Sequence, residues 1–283
     1  MRVIKASSAG FCMGVSLAVH KLDMALAESG GAGLYTLGPI IHNPPLVAEY
    51  ESKGVLCLHD HTRAEKDSTV LIRAHGLPLD MEKALRARGL RIIDATCPRV
   101  KSAQKAIARA CAAGWGTLLL FGERDHPEVR GLLSYAGADA LVFSGLRELE
   151  ALSLERGKAC FAAAQTTQDK NVFEDMLVRL RAFFGRDLRV LRTICSATRK
   201  RQEDVIELAG RVKSMVIVGG ANSGNTRRLA EISAGLGVFT VSCETAENLP
   251  LDKLKQLQPV GLSAGASTPE KHISEVERVL IQS

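Results

Sequence analysis

Residues 91–113 read RIIDATCPRVKSAQKAIARACAA, and the fold follows from how this stretch is parsed. Arg91–Asp94 is a short β-branched run, while Val100–Ala113 carries apolar residues at helical spacing with charges on the other face. Between them a turn holds Cys97. The same order of strand, cysteine turn and helix recurs in VIKASSAGFCMGVSLAVHKLDMAL (3–26) around Cys12 and in RVLRTICSATRKRQEDVIELA (189–209) around Cys195, so the cysteines stand 85 and 98 residues apart. Self-similarity on that scale predicts a repeated α/β unit.

Two further registers extend the repeat. A second strand ends in a polar loop that opens a helix: GPIIHNPPLVAEY with His42, GERDHPEVRGLL with His126 and GGANSGNTRRLAE with Asn225, at 30, 29 and 30 residues past the preceding cysteine. A third strand ends in IRAHGLP with His75, AAAQTTQDK with Thr166 or LSAGASTPEK with Ser267, at 63, 69 and 72 residues. Expected strands are Val3–Ala6, Leu34–Leu37, Val70–Arg73, Arg91–Asp94, Thr117–Phe121, Cys160–Ala164, Arg189–Arg192, Met215–Val218, Phe239–Val241 and Val260–Ser263. Their alternation with helices predicts α/β architecture: three similar domains of mainly parallel sheet, 1–97, 98–194 and 195–283, in a pseudo-threefold arrangement. Each domain is expected to turn its strand carboxyl ends, where open α/β sheets bind ligands, toward a common centre.

Composition excludes several classes. At 283 residues, 46% hydrophobic and 24% charged, the chain is long enough for two or three compact domains and too apolar for disorder. No apolar stretch approaches the ~18–20 residues of a membrane span, and MRVIKASSAGFC lacks the apolar core of a signal peptide. A cytoplasmic protein without a membrane partner is expected. The net charge of +6 suits anionic metabolites or acidic proteins, whereas nucleic acid is disfavoured: the longest basic run is Arg199-Lys200-Arg201 and aromatics make up only 4%. No extended heptad argues for an obligate oligomer, so a monomer is expected. Seven cysteines without a C-x-x-C pair read as reduced thiols rather than a disulfide framework or zinc knuckle.

Cys57, Cys111, Cys160 and Cys243 have no counterparts in the repeat and read as small buried hydrophobes. Cys12, Cys97 and Cys195 stand at helix starts, where thiolate is favoured; three thiolates brought together call for a cation, and three ligands leave one metal position open. A metal cluster ranks there ahead of zinc. Ser223, Asn225 and Ser267 lie in loops that either cap helices or, with His42, His75 and His126, line an anion pocket sized for a diphosphate. His20, His59, His61 and His272 read as surface or packing residues. Glu128, in the first turn after His126, either complements a helix dipole or acts as a general acid relayed through Thr166 or Thr167.

The motifs G-F-C-M-G-V at 10–15, H-N at 42–43, A-H-G at 74–76, A-T-C-P at 95–98, H-P-E-V at 126–129, Q-T-T at 165–167, the Cys195 turn, N-S-G-N at 222–225 and A-G-A-S at 264–267 occur in order over essentially the whole chain. In this the sequence resembles the 4-hydroxy-3-methylbut-2-enyl diphosphate reductases, terminal enzymes of the non-mevalonate isoprenoid pathway. The resemblance implies an oxidoreductase with three α/β domains around a [4Fe–4S] cluster on Cys12, Cys97 and Cys195, its fourth iron taking the substrate hydroxyl. It implies diphosphate binding by His42, His75, His126, Ser223, Asn225 and Ser267, proton delivery by Glu128, and a hydrogen bond from Thr166 near the substrate hydroxyl. Two electrons and two protons would remove that hydroxyl as water, giving isopentenyl or dimethylallyl diphosphate. Gly224 stands where relatives commonly carry a second serine, leaving only backbone at that point.

An alternative from another class is a non-catalytic iron–sulfur sensor that binds a diphosphate metabolite, which would need the cysteines but neither Glu128 nor the Thr166 hydroxyl. A zinc hydrolase of a phosphorylated substrate is a second. With no nicotinamide fingerprint in a basic chain, the expected electron donor is an acidic ferredoxin or flavodoxin docked electrostatically.

Overall fold

The computed structural model describes residues 1–283 apart from Ala138 and the side chain of Arg186. Its twelve described strands are β1 Val3–Lys5, β2 Leu34–Leu37, β3 Leu56–Leu58, β4 Thr69–Ile72, β5 Arg91–Asp94, β6 Thr117–Phe121, β7 Ala140–Phe143, β8 Cys160–Ala164, β9 Arg189–Val190, β10 Ser214–Val218, β11 Phe239–Cys243 and β12 Val260–Ala264. The described helices are α1 Met13–Ser29, α2 Pro44–Ser52, α3 Leu79–Ala87, α4 Pro98–Ala112, α5 Pro127–Ser134, α6 Leu146–Glu150, α7 Lys170–Phe184, α8 Ser196–Ala209, α9 Gly224–Gly235, α10 Leu251–Gln256 and α11 Glu270–Gln282. None is long and apolar enough to cross a membrane.

The strands form three four-stranded sheets, ordered β3-β2-β4-β5, β7-β6-β8-β9 and β11-β10-β12-β1, parallel throughout. In each sheet the first of three consecutive strands, β2, β6 or β10, sits between the second and third. Chain leaving the first strand therefore departs one way and chain leaving the third departs the other, which opens a crevice at their carboxyl ends.

Both faces of the central strands β6 and β10 are covered, because successive side chains alternate. In β6, Leu118 and Leu120 pack with Ile107 and Leu132, whereas Leu119 and Phe121 pack with Phe173 and Leu177. In β10, Met215 and Ile217 join Val205 and Leu229, while Val216 and Val218 join Ile273 and Val276. Burying each such side chain contributes roughly 1.5–3 kcal/mol.

Two strands escape the sequence reading, β3 and β7. Both are sheet edges of only three and four residues, LCL and ALVF, and Leu56 in β3 is 52% exposed. The first strand also departs from the 1–97 grouping: β1 pairs with β12, Val3 opposite Val260, and so belongs to the carboxyl-terminal sheet. Contacts divide the chain into two compact units, Met1–Ser16 with Ile41–Ser52 and Ser196–Ser283, and Leu17–Ile40 with Lys53–Cys195. The first contains the β11-β10-β12-β1 sheet and the second contains the other two.

Candidate active site

The expected site residues fall at the carboxyl ends of the strands. Counted from strand ends, the fifth residue after the first strand of each sheet is His42, His126 or Ser223, and the seventh is Pro44, Glu128 or Asn225. The third residue after the third strand is His75, Thr167 or Ser267. The sequence registers are thereby revised: Ser223 rather than Asn225 matches the histidines, and Thr167 rather than Thr166 matches His75. Counting from the cysteines carries a whole helix into every offset, and those helices have 17, 15 and 14 residues.

All three cysteines immediately precede a helix and follow the fourth strand of a sheet. Each is tied to the loop after the neighbouring third strand by one backbone hydrogen bond: Cys12 N donates to Ala266 O (3.2 Å), Cys97 N to Ala74 O (2.9 Å) and Cys195 N to Thr166 O (3.0 Å). The first turn of α1 points Val15 N–H at Cys12 Sγ, 3.5 Å away. All three thiols are half-buried. Two of the remaining cysteines fit their expected inert role closely, since burial pushes the Cys160 thiol up to about 11 and Cys243 up to about 12.

In the second unit, Glu128 is 1% exposed in the first turn of α5. Its Oε1 accepts from Thr166 N (2.6 Å) and its Oε2 from Thr166 Oγ1 (2.9 Å). Burial pushes its carboxyl up to about 7, against the pull of those two hydrogen bonds. Thr166, 5% exposed, is therefore the hydroxyl beside the acid, while Thr167 Oγ1 accepts from Gln165 Nε2 instead. His126 caps α5, its Nδ1 accepting from Glu128 N (3.1 Å). A ring nitrogen that accepts has no proton, so the neutral ring carries its hydrogen on Nε2 as a donor. The His75 and His126 rings meet edge to face, centroids 5.3 Å apart.

In the first unit, Ser267 Oγ donates to the His42 carbonyl (3.2 Å) and lies 3.5 Å from Ser223 Oγ. Ser223 caps α9, accepting from Thr226 N (3.3 Å). Asn225, 4% exposed, buries both amide atoms without a hydrogen-bond partner among the described residues. The loops approach too closely for side chains: a Cβ on Gly220 would lie 2.6 Å from His42 O, and one on Gly265 2.1 Å from Thr226 Oγ1. Asn43 caps α2 by accepting from Leu46 N (3.0 Å).

Some supporting residues were not legible beforehand. Arg201, the last residue of the basic run Arg199-Lys200-Arg201, is 4% exposed and donates to Gly10 O at 2.6 Å, bracing the Cys12 turn; Arg199 and Lys200 are exposed. Gln104 of α4 lies 1% exposed beneath the His75 loop, where a Cβ on Gly76 would come within 2.9 Å of its Nε2. Helical spacing marks both as inward-facing, the only signal that could have found them. The His59-Asp60-His61 segment forms a capped turn, Asp60 Oδ1 accepting from Thr62 N.

A buried acid with a raised pKa, donors at sheet switch points and thiols at helix starts are the equipment of an α/β enzyme, not of an inert scaffold. Its family is established by comparison: the chain belongs to the LytB family, whose model, described as LytB protein, matches residues 3–281. A relative from Nitratidesulfovibrio vulgaris (strain DSM 19637 / Miyazaki F), named 4-hydroxy-3-methylbut-2-enyl diphosphate reductase, is 55% identical over 280 residues, 99% of each chain. One of the same name from Aquifex aeolicus (strain VF5) is 44% identical over 279 residues, 97% of this chain and 94% of that one. A solved structure of (E)-4-hydroxy-3-methyl-but-2-enyl diphosphate reductase, described as the terminal enzyme of the non-mevalonate pathway, is 41% identical and covers 100% of both chains with a TM-score of 0.70. The E-1-hydroxy-2-methyl-but-2-enyl-4-diphosphate reductase of Plasmodium falciparum, 24% identical, shares the fold at a TM-score of 0.92 over 99% of this chain and 87% of that one.

Proposed function

We propose that this chain is an oxidoreductase that reductively dehydroxylates (E)-4-hydroxy-3-methylbut-2-enyl diphosphate to isopentenyl and dimethylallyl diphosphate. The allylic C–O bond breaks, a C–H bond forms, and two electrons and two protons enter; one proton leaves with the hydroxyl as water. The observation that carries this reading is the buried Glu128–Thr166 pair, whose threonine carbonyl also holds the Cys195 turn.

Cys12, Cys97 and Cys195 are the proposed ligands of a [4Fe–4S] cluster. Three half-buried thiols at helix starts suit a soft, thiolate-bound group, and the two deeply buried thiols with raised pKa values do not. When bound, such a cluster supplies electrons one at a time and Lewis acidity, which no side chain can. Glu128 holds a proton near neutral pH; once protonated it donates to Thr166 Oγ1 in place of accepting from it, and the threonine hydroxyl hands its own proton on. His42, His75, His126, Ser223, Asn225 and Ser267 are proposed to hold the diphosphate, supplying binding energy away from the reacting carbon. The unused Asn225 amide and the Nε2 donor of His126 support this assignment. The proposal also takes the protein to work as a cytoplasmic monomer of three domains, supplied by a ferredoxin- or flavodoxin-type donor.

The test is anaerobic purification with iron and sulfide analysis, followed by turnover of the hydroxymethylbutenyl diphosphate with reduced methyl viologen. About four iron and four sulfide per chain with C5 diphosphate products is the expected result. A loaded cluster without turnover overturns the reductase reading in favour of a sensor, and zinc without sulfide in favour of a hydrolase.

A further inference from the structure

Helix α4, which starts at Cys97, has charges that its own folding does not call for. Its fifteen residues PRVKSAQKAIARACA include Arg99, Lys101, Lys105 and Arg109 and no acid, and no other described α-helix lacks an acidic residue altogether. Lys101, Lys105 and Arg109 recur one turn apart, so like charges face each other along one side, each pair costing a few tenths of a kcal/mol. Arg99 and Lys101 occupy the amino-terminal turns, where the helix dipole favours anions. What holds the helix is its other face, Val100, Ala103, Ile107 and Ala110, all buried. The cationic face is a departure from what stability alone would select.

That face borders a groove of about 570 Å³ lined by Lys21, Asp94, Lys101, Lys105 and Arg109, with Thr96 and Pro98, the two neighbours of Cys97, on its wall. Asp94 organises the inner end: its carboxylate accepts from Lys101 Nζ (2.8 Å) and its carbonyl from Lys21 Nζ (2.6 Å). Lys105 and Arg109, at the outer end, are exposed and have no acidic partner among the described residues.

We propose that this groove is the docking surface for an acidic one-electron carrier protein. The inference rests on the reductase reading, which needs two single electrons per turnover from a chain with no nicotinamide site of its own. Two dockings would deliver them, oxidising two carrier molecules. The unpaired cations steer an acidic partner to a helix that begins at one of the three candidate ligand thiols, and the hydrogen-bonded Lys21–Asp94–Lys101 end gives it an ordered floor. An acidic protein is favoured over nucleic acid because α4 offers no aromatic side chain for base stacking, and over a membrane because no aromatic side chain lines the groove to anchor it in an interface.

The test titrates an oxidised, acidic bacterial ferredoxin into the cluster-loaded protein by calorimetry, comparing the wild type with Lys105→Glu/Arg109→Glu and with Arg278→Glu, an exposed charge on α11. The double variant is expected to weaken binding at least about tenfold at low ionic strength and to flatten its salt dependence, with Arg278→Glu leaving both in place. Its melting temperature should hold or rise slightly, since the reversal relieves repulsion along α4; Lys105→Gln/Arg109→Gln, which removes charge without reversing it, should lie between. Equal affinities in all variants, or equal losses in the double variant and Arg278→Glu, overturn the proposal. So does tighter binding of a uridine oligomer or phosphatidylserine vesicles that the same double variant abolishes. Viologen-driven turnover is measured in parallel: its absence in the wild type defeats the reductase reading, whereas a carrier bound equally well by all variants defeats only the docking surface.

Discussion

Glu128 and Asn225 occupy the same position in two sheets, the second residue of the helix that follows the first strand. Both are buried in a first turn beside a capping residue, His126 or Ser223. They differ in what they are given. Glu128 has both oxygens occupied by Thr166 and is driven toward neutrality by burial. Asn225 has neither amide atom occupied among the described residues. One scaffold thus supports a self-contained proton store in one sheet and a set of unspent hydrogen bonds in another. On the proposed function, the first is ready before substrate arrives and the second is kept for the ligand; an unsatisfied buried group otherwise costs stability.

The largest way to break the comparison is Glu128→Gln. The amide can keep both contacts to Thr166 but cannot give up a proton, so turnover should fall about 100- to 10,000-fold while substrate binding persists. Unchanged turnover would remove Glu128 from the mechanism. The same variant tests the burial cost. A carboxyl raised from 4.5 to about 7 binds more protons folded than unfolded, so stability declines as pH rises across that window. Glu128→Gln should abolish the decline, gaining up to roughly 3 kcal/mol above pH 7 and nothing below pH ~4.5, read from denaturation midpoints across pH.

Asn225→Leu comes next. Losing hydrogen bonds to a charged diphosphate should raise KM about 10- to 100-fold with a smaller change in kcat. Because the amide is unpaired in the protein alone, the variant should be as stable as the parent or more so. A loss of stability instead would mean that Asn225 is a structural residue like its counterparts in ordinary capping turns.

The smallest expected effect sharpens the Glu128 half. Thr166→Val deletes the hydroxyl but keeps the backbone N–H to Oε1. Removing a hydrogen bond that lowers the carboxyl's pKa should move the alkaline limb of the pH–rate profile upward by a unit or less, with a loss of rate from the broken relay. A limb that stays in place would show that another group controls it.

The repeat was legible in the sequence because parallel strands, cysteine turns and helix starts each leave a local mark. The site residues were legible as types for the same reason: a histidine or serine ahead of a helix is conspicuous. What was not legible needed three dimensions. The shift from Thr166 to Thr167 as the partner of His75 depends on where β8 ends, which offsets measured across unequal helices blur. Arg201 is not set apart from its neighbours in Arg199-Lys200-Arg201 because its buried role depends on the Gly10 carbonyl, distant in sequence. Edge strands β3 and β7 are only three and four residues long, and no local signal says that β1 pairs with β12.

That last pairing has a consequence for biosynthesis. Val3 emerges from the ribosome first and must wait for Val260 before its ladder can close, so the turn carrying Cys12 reaches its final form only when nearly all the protein has been made. The other two cysteines follow strands whose neighbours precede them in the chain, β4 before β5 and β8 before β9. Nascent chains cut short by stalled translation would carry Cys97 and Cys195 in finished turns and Cys12 in an unfinished one.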